Sequence, residues 1–328
     1  AALFVITGFV QKRKQAVRAL LILALSVLVL NMGYYSRNIG LVGHPLMDPK
    51  EKGEYSNKLH SLAAIASNIA RQTASQWGTP FKKGDDLLQK AVEKFHDAIG
   101  LEADDPRTTF NKTPFRISSR WRNEDNAANP LHWLLIVASL ALALRKGKDE
   151  GTRRIYAATI LATFLLFVIY LKRQPWISRL QLPLFILWMP FCAVVFGRLF
   201  PRFAQFAAVL LLAASVPFLI ANESRSLIGK FSIFRVPQEV QYFMGAKYLY
   251  QPSAALVRFS LQNGCVDVAL ECNEDDFEYP FWALFKMWGK QTPVIRHENV
   301  SNASKSLSAR QPFADFKPCV RFELRDPK

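Results

Sequence analysis

The chain has 328 residues, half of them hydrophobic, and 42 Lys and Arg against 26 Asp and Glu give it a net charge of +16. A mean hydropathy near zero at that apolar content means that greasy and polar stretches are segregated, which excludes one evenly mixed soluble domain. The basic residues are spread over short loops between apolar runs rather than gathered on one soluble face, so no nucleic-acid partner is expected.

In chain order the apolar runs are Ala1–Val10, Ala16–Tyr35, Leu131–Leu144, Ile155–Leu171, Leu180–Phe200 and Phe203–Ala221. A helix needs about 20 residues to cross a hydrocarbon core of about 30 Å. Leu131–Leu144 is short, Ile155–Leu171 borderline, and the other internal runs are long enough. Ala1–Val10 has no initiator methionine before it and reads as the end of a span begun upstream. A cleaved signal peptide fits poorly there, because basic residues follow the apolar run instead of preceding it. Lys12, Arg13, Lys14 and Arg18 fall between the first two runs. Arg145, Lys146, Lys148, Arg153 and Arg154 lie between the third and fourth, and Arg198 and Arg202 between the last two. Placing these loops in the cytoplasm obeys the positive-inside rule. The loop 36–129, the segment Lys172–Arg179 and everything after Ala221 are then extracytoplasmic.

Within the loop, Leu59–Trp77 and Leu87–Ile99 have helical periodicity, with Leu59, Leu62, Ile65 and Ile69 on one apolar stripe. Gly78-Thr-Pro80 and Gly84-Asp-Asp separate them as turn signals. These helices either lie along the leaflet or cap the spans. In the tail, Cys265–Leu270 alternates like a strand, Glu278–Gly289 reads as a short helix, Val294–His297 and Cys319–Leu324 as strands, and Ser301–Ser308 as a loop. Of the tail's Cys265, Cys272 and Cys319, two can pair and one stays free, and the sequence does not choose the pair. The expected fold class is therefore mainly α: a polytopic transmembrane helix bundle over 1–221 with five to six spans and external amphipathic helices, followed by a small α/β domain over 222–328.

Three polar clusters sit at span ends. Lys172-Arg-Gln-Pro-Trp-Ile-Ser-Arg179 puts three cations and a tryptophan between two spans, on the face where such residues are sparse. A guanidinium matches phosphate oxygens in a planar fork, so Arg179, with Lys172 or Arg173, is a candidate anion contact. Interfacial anchoring is the plain alternative. The second cluster, Arg120–His132, holds Glu124 and Asp125 just before a span and His132 inside it. Adjacent carboxylates hold a divalent cation, orient a hydroxyl or act as a base; equally, they precede a helix whose first turn takes Pro130. The third is Asn31–Asn38 with Gly43–Leu46.

Asn123–His132, the run Trp176-x-x-Arg179-Leu-x-Leu-Pro183 and the tail's Asp275–Trp282 resemble bacterial multi-spanning glycosyltransferases of the GT-C fold, of the dolichyl-phosphate-mannose mannosyltransferase-like family. The resemblance covers most of the chain and corresponds to the C-terminal half of such a protein. It implies a polyprenyl-phosphate sugar donor and transfer on the outer face of the inner membrane to a cell-envelope glycan, lipid or protein. Arg179, with Lys172 or Arg173, would hold the donor phosphate. It places the catalytic carboxylate upstream of Ala1 and leaves Glu124, Asp125 and His132 as acceptor, metal or supporting residues, with a divalent cation the one cofactor in question. A transporter or flippase-like protein for an anionic lipid or solute is the alternative, since Pro183, Pro190 and Pro217 lie within spans. A non-catalytic scaffold is the third reading.

Overall fold

A computed structural model describes residues 13–46, 49–117, 122–143, 150–272, 276–310 and 314–323. The expected span at Ala1–Val10, the loop cations Lys12, Arg145, Lys146 and Lys148, the Arg120-Trp pair and Asp275 lie outside them. The chain divides into two compact units. One holds residues up to Ser36 together with Leu46–Phe218; the other holds Arg37–Pro45 and the residues from Leu219 onward.

The structure is mainly helical. The elements of the first part are α1 (Arg13–Val42), α2 (Pro49–Tyr55), α3 (Leu62–Ala74), α4 (Lys82–Ile99), α5 (Pro130–Ala143), α6 (Glu150–Tyr170), α7 (Ile177–Leu180), α8 (Leu182–Leu199) and α9 (Pro201–Ala221). Among the described residues, four helices are long and apolar enough to cross a membrane: Val17–Val42, Gly151–Tyr170, Leu182–Leu199 and Pro201–Ala221. α5 is apolar but shorter. Helices α5, α6 and α8 pack around Ile136, Ile160, Phe185, Trp188, Phe191 and Phe196. Small side chains let them approach, and Ser139 Oγ lies 3.3 Å from Cys192 Sγ at that crossing. Pro190 interrupts the α8 ladder, and Tyr156 Oη donates to the carbonyl of Leu187 in the same turn at 2.8 Å.

α4 starts at Lys82, so Gly84-Asp-Asp forms its first turn and is not the turn before it. The reason is local. Asp85 is buried, and its Oδ1 accepts from the Thr79 amide at 2.7 Å and from Thr79 Oγ1 at 3.1 Å, which anchors the helix start. A Cβ at position 84 would come within 2.9 Å of Thr79 Oγ1, so glycine is required by the close approach.

The second unit contains α10 (Gln238–Gln241), α11 (Tyr250–Gln262), β1 (Asp267–Glu271), α12 (Tyr279–Trp288), β2 (Val294–His297) and β3 (Val320–Glu323). The sheet order is β2-β1-β3 and both pairings are parallel, with Val268 opposite Ile295 and Val320. β1 buries Val268, Ala269 and Leu270 in succession instead of alternating, because a central parallel strand is covered on both faces. The core gathers Phe243, Val257, Phe281, Leu284 and Phe285 onto it. Cys265 pairs with Cys319, and Cys272 is free. The stretch 301–308, expected as a loop, contains the 3₁₀ turn Ala303–Leu307.

Candidate functional site

The site is built at the end of the first unit where α5 begins, α6 ends and α8 begins. An α-helix leaves its last four carbonyls without partners. At α6 all four are taken: Phe167 O by Leu171 N, and Tyr170 O by Asn57 N at 2.8 Å. The Asn57 side-chain amide reaches Val168, Ile169 and Leu171 carbonyls at 3.0, 2.9 and 3.0 Å. Asn68 adds a second donor to Val168 O at 3.0 Å.

Directly after α6 the chain runs between two segments of the loop and forms one isolated bridge to each, Leu171 with Ser56 and Arg173 with Thr109. Lys172 N donates to Tyr55 O, Arg173 N to Thr108 O, and Phe110 N to Arg173 O, at 2.9, 3.0 and 3.0 Å. This strapping turns Lys172, Arg173 and Gln174 into the protein, each no more than 5% exposed. Arg173 donates to Pro114 O at 3.1 Å and stacks over Phe115 at 5.2 Å. Burial holds its guanidinium down to about 10, against a smaller opposing pull from Asp104. Burial, and then Lys58, also lower the Lys172 ammonium from its ordinary value. The two cations expected beside Arg179 at a phosphate are thus placed inside the fold, where Arg173 clamps the loop.

Arg179 is placed differently. It lies on the one-turn helix α7 with its side chain 55% exposed, and its Nη1 is 3.1 Å from Asp125 Oδ1. Asp125 is presented by a tight turn in which Asn123 Oδ1 accepts from the Asp125 amide at 3.0 Å and from Asn126 Nδ2 at 3.1 Å. Glu124 is exposed in the same turn. The carboxylates do not cap α5. That position belongs to Asn129, whose carbonyl accepts from Trp133 N at 3.1 Å, with Pro130 as the first helical residue. His132 therefore sits in the first turn of α5. Its ring meets Phe185 edge-on at 5.9 Å.

A chain of buried amides ties the two clusters together. Asn129 Nδ2 donates to Gln76 Oε1 at 3.0 Å, and Gln76 Nε2 donates to Gln181 Oε1 at 2.9 Å and to Ser178 Oγ at 3.4 Å. Gln181 Nε2 in turn reaches Gln72 Oε1 at 3.4 Å. Gln72, Gln76 and Gln181 are at most 1% exposed, so the network fixes the Asp125 turn against the Arg179 helix with little freedom to relax. Arg71, fully buried beside it, donates to Thr109 Oγ1 at 2.7 Å, Asn68 Oδ1 at 2.6 Å and Thr108 Oγ1 at 2.9 Å. Burial, then the nearby Arg173 charge, hold it down to about 10.

These supporting residues were not singled out in the sequence because α3 is packed with its polar side inward. Ser67, Asn68, Arg71 and Gln72 are buried, whereas Leu62 of the expected apolar stripe is 85% exposed. The signal was present as a polar stripe at helical spacing, Asn68-Arg71/Gln72-Gln76. The third cluster folds back on itself: Tyr34 Oη donates to Leu46 O at 2.5 Å and Asn38 Nδ2 to Pro45 O at 3.2 Å. The structure unites the first two clusters.

A divalent cation does not fit the donor set. Among the described residues no three His, Cys, Asp or Glu converge on a common point, and Asp125 is committed to Arg179. What the site offers is a half-exposed guanidinium with five N–H donors, of which the Asp125 pair engages one nitrogen, beside a carboxylate-bearing turn. An oxyanion can share that fork with Asp125. No protein-family model, no curated protein and no solved structure matches the chain.

Proposed function

We propose that the protein is an integral-membrane glycosyltransferase that moves a sugar from a polyprenyl-phosphate donor to a cell-envelope acceptor. The observation that carries the reading is the contrast within one basic segment: Lys172 and Arg173 are spent inside the fold, while Arg179 is held half-exposed at the end of the apolar helices by a rigid support. A leaving phosphate needs a fixed cation at the membrane edge, and a guanidinium prepositioned by Asp125 costs little reorganisation when charge develops. In the transfer the sugar C1–O bond to phosphate breaks, a C1–O bond to the acceptor forms, and the acceptor proton passes to a base. Arg179 serves the departing phosphate. Glu124, Asp125 and His132 flank the acceptor side, and the base is assigned to none of them. The positive-inside rule supports a topology in which this end and the second unit face away from the cytoplasm, on the outer side of the inner membrane.

The test is transfer from a radiolabelled polyprenyl-phosphate sugar by the purified membrane protein. Arg179→Ala should abolish turnover, by about 10²–10³-fold if the side chain stabilises the developing charge. Arg179→Lys should recover only part of it, since a point charge replaces a fork. Turnover unchanged in a well-folded Arg179→Ala protein would remove this site from the mechanism. A transporter or flippase for an anionic lipid remains the second reading, supported by Pro190 and Pro217 inside α8 and α9. Transport of such a lipid in sealed vesicles without sugar transfer would favour it.

A further inference from the structure

The second unit contains a cleft that the reaction above does not use. β1 is the middle strand of its parallel sheet, with β2 on one side and β3 on the other; the chain leaves β1 for β2 and then crosses back past β1 to β3. In open parallel sheets ligands bind in the crevice outside the carboxyl ends of the strands. Here β1 ends at Glu271 and β2 at His297. A cleft of about 560 Å³ opens there. A neighbouring cleft of about 410 Å³ shares Glu298, Asn299 and Arg321 with it.

Glu278 and Glu298 line the larger cleft and Glu271 and Glu323 line the smaller one, and Glu271, Glu278 and Glu298 each have an oxygen held by a different donor. Asn299 Nδ2 donates to Glu271 Oε2 at 2.8 Å, Arg321 Nε to Glu298 Oε2 at 2.8 Å, and Trp282 Nε1 to Glu278 Oε1 at 2.9 Å. His297 Nε2 approaches the same Glu278 oxygen at 3.1 Å. Phe316 forms an apolar wall with the Arg296 guanidinium 4.7 Å from its ring centroid. Taken across both clefts, the four carboxylates outnumber the guanidiniums of Arg296 and Arg321, so a phosphate or polyanion is disfavoured. Because Glu271, Glu278 and Glu298 are each pinned to a separate partner, and among the described residues no three metal-ligating groups converge, a divalent cation is not caged. The second carboxylate oxygens accept O–H donors, Arg321 and Asn299 are placed beside them as donors, and a flat C–H face packs on Phe316.

We propose that this cleft binds a neutral, hydroxyl-rich glycan and docks the acceptor. The docking role rests on the transferase reading; the glycan class rests on the cleft alone. The intact protein in lipid nanodiscs is presented to an array of defined neutral and acidic oligosaccharides, and affinities for the best neutral one are measured for Glu271→Gln, Glu298→Gln, Phe316→Leu and Arg179→Ala. The expected result is neutral-glycan binding weakened at least about tenfold in the first three, the size of a lost well-formed contact, and unchanged in Arg179→Ala. Thermal unfolding identifies any variant that fails to fold; the three cleft variants act on different groups, so one folded variant suffices. Absence of neutral-glycan binding at millimolar concentration, or binding that survives all folded cleft variants, overturns the proposal. So does preferential binding of acidic glycans, inorganic phosphate or Ca²⁺ that the cleft variants abolish. Loss of transfer in Arg179→Ala with no glycan binding would sink the cleft and keep the transferase; glycan binding with normal transfer in Arg179→Ala would do the reverse.

Discussion

His96 shows how the loop's interior dictates a protonation state. Its Nδ1 lies 2.7 Å from Val92 O, which only accepts, so Nδ1 carries the proton, and Nε2 at 2.8 Å takes the Ser67 hydroxyl. Burial first, and the Arg71 charge after the opposing Val92 carbonyl, hold the folded value below the ordinary 6.5. A depressed histidine binds its proton more readily unfolded than folded. Its contribution to stability is therefore complete above pH 6.5 and is lost as pH falls from there through the folded value. Thermal unfolding of wild type should decline over that interval more steeply than that of His96→Gln, whose side chain does not titrate. Parallel pH profiles would remove His96 from the account.

Among the elements, the C-terminus of α6 and the three-stranded sheet carry the sharpest expectations. Asn57→Ala strips the side-chain donor from three carbonyls at the α6 end and should cost about 2–3 kcal/mol, read as a lowered unfolding midpoint in detergent. Joining Cys265 to Cys319, 54 residues apart, restricts the unfolded chain by about 4 kcal/mol. A Cys265→Ser/Cys319→Ser protein should lose up to that amount, and reductant should have no further effect on it. Helices α6, α8 and α9 were legible because a run of apolar residues long enough to span is a composition signal. The strands were legible to within two residues. The buried face of α3 was not: periodicity shows that a helix has two faces, but in a chain with both lipid and water around it the apolar one need not be the one packed. Arg71 and Asn68 turn inward because they meet the carbonyls and hydroxyls at Ala103, Thr108, Thr109 and Val168. Those partners lie far along the chain, where local pattern is blind. The disulfide pair was hidden for the same reason, since β1 and β3 had first to be set in register.

For the whole molecule, the charge asymmetry of the loops predicts an orientation. Ser308→Cys in the second unit should react with a membrane-impermeant maleimide in intact spheroplasts, above the background of the parent protein. Arg202→Cys, at the start of α9, should react only after permeabilisation. The opposite pattern would invert the topology and move the Arg179 end to the cytoplasm. The Arg179–Asp125 pair was half visible in the sequence, as two charged clusters flanking apolar runs. What joined them was a set of glutamines and asparagines whose importance comes from being buried together, and no single one of them is unusual in isolation.

The strap between the loop and the segment after α6 has a consequence for how the protein is made. Asn57 is synthesised 111 residues before Val168, and at roughly 5–20 residues per second the ribosome needs several seconds to cover that distance. Until α6 and the segment after it have been made, the side-chain amides of Asn57 and Asn68 and the carbonyls of Tyr55 and Thr108 lack the partners they take in the folded protein. The loop can therefore close around Arg71 first, on the partners Ala103, Thr108 and Thr109 that are already made, and the end of α6 locks onto Asn57 and Asn68 as a later step.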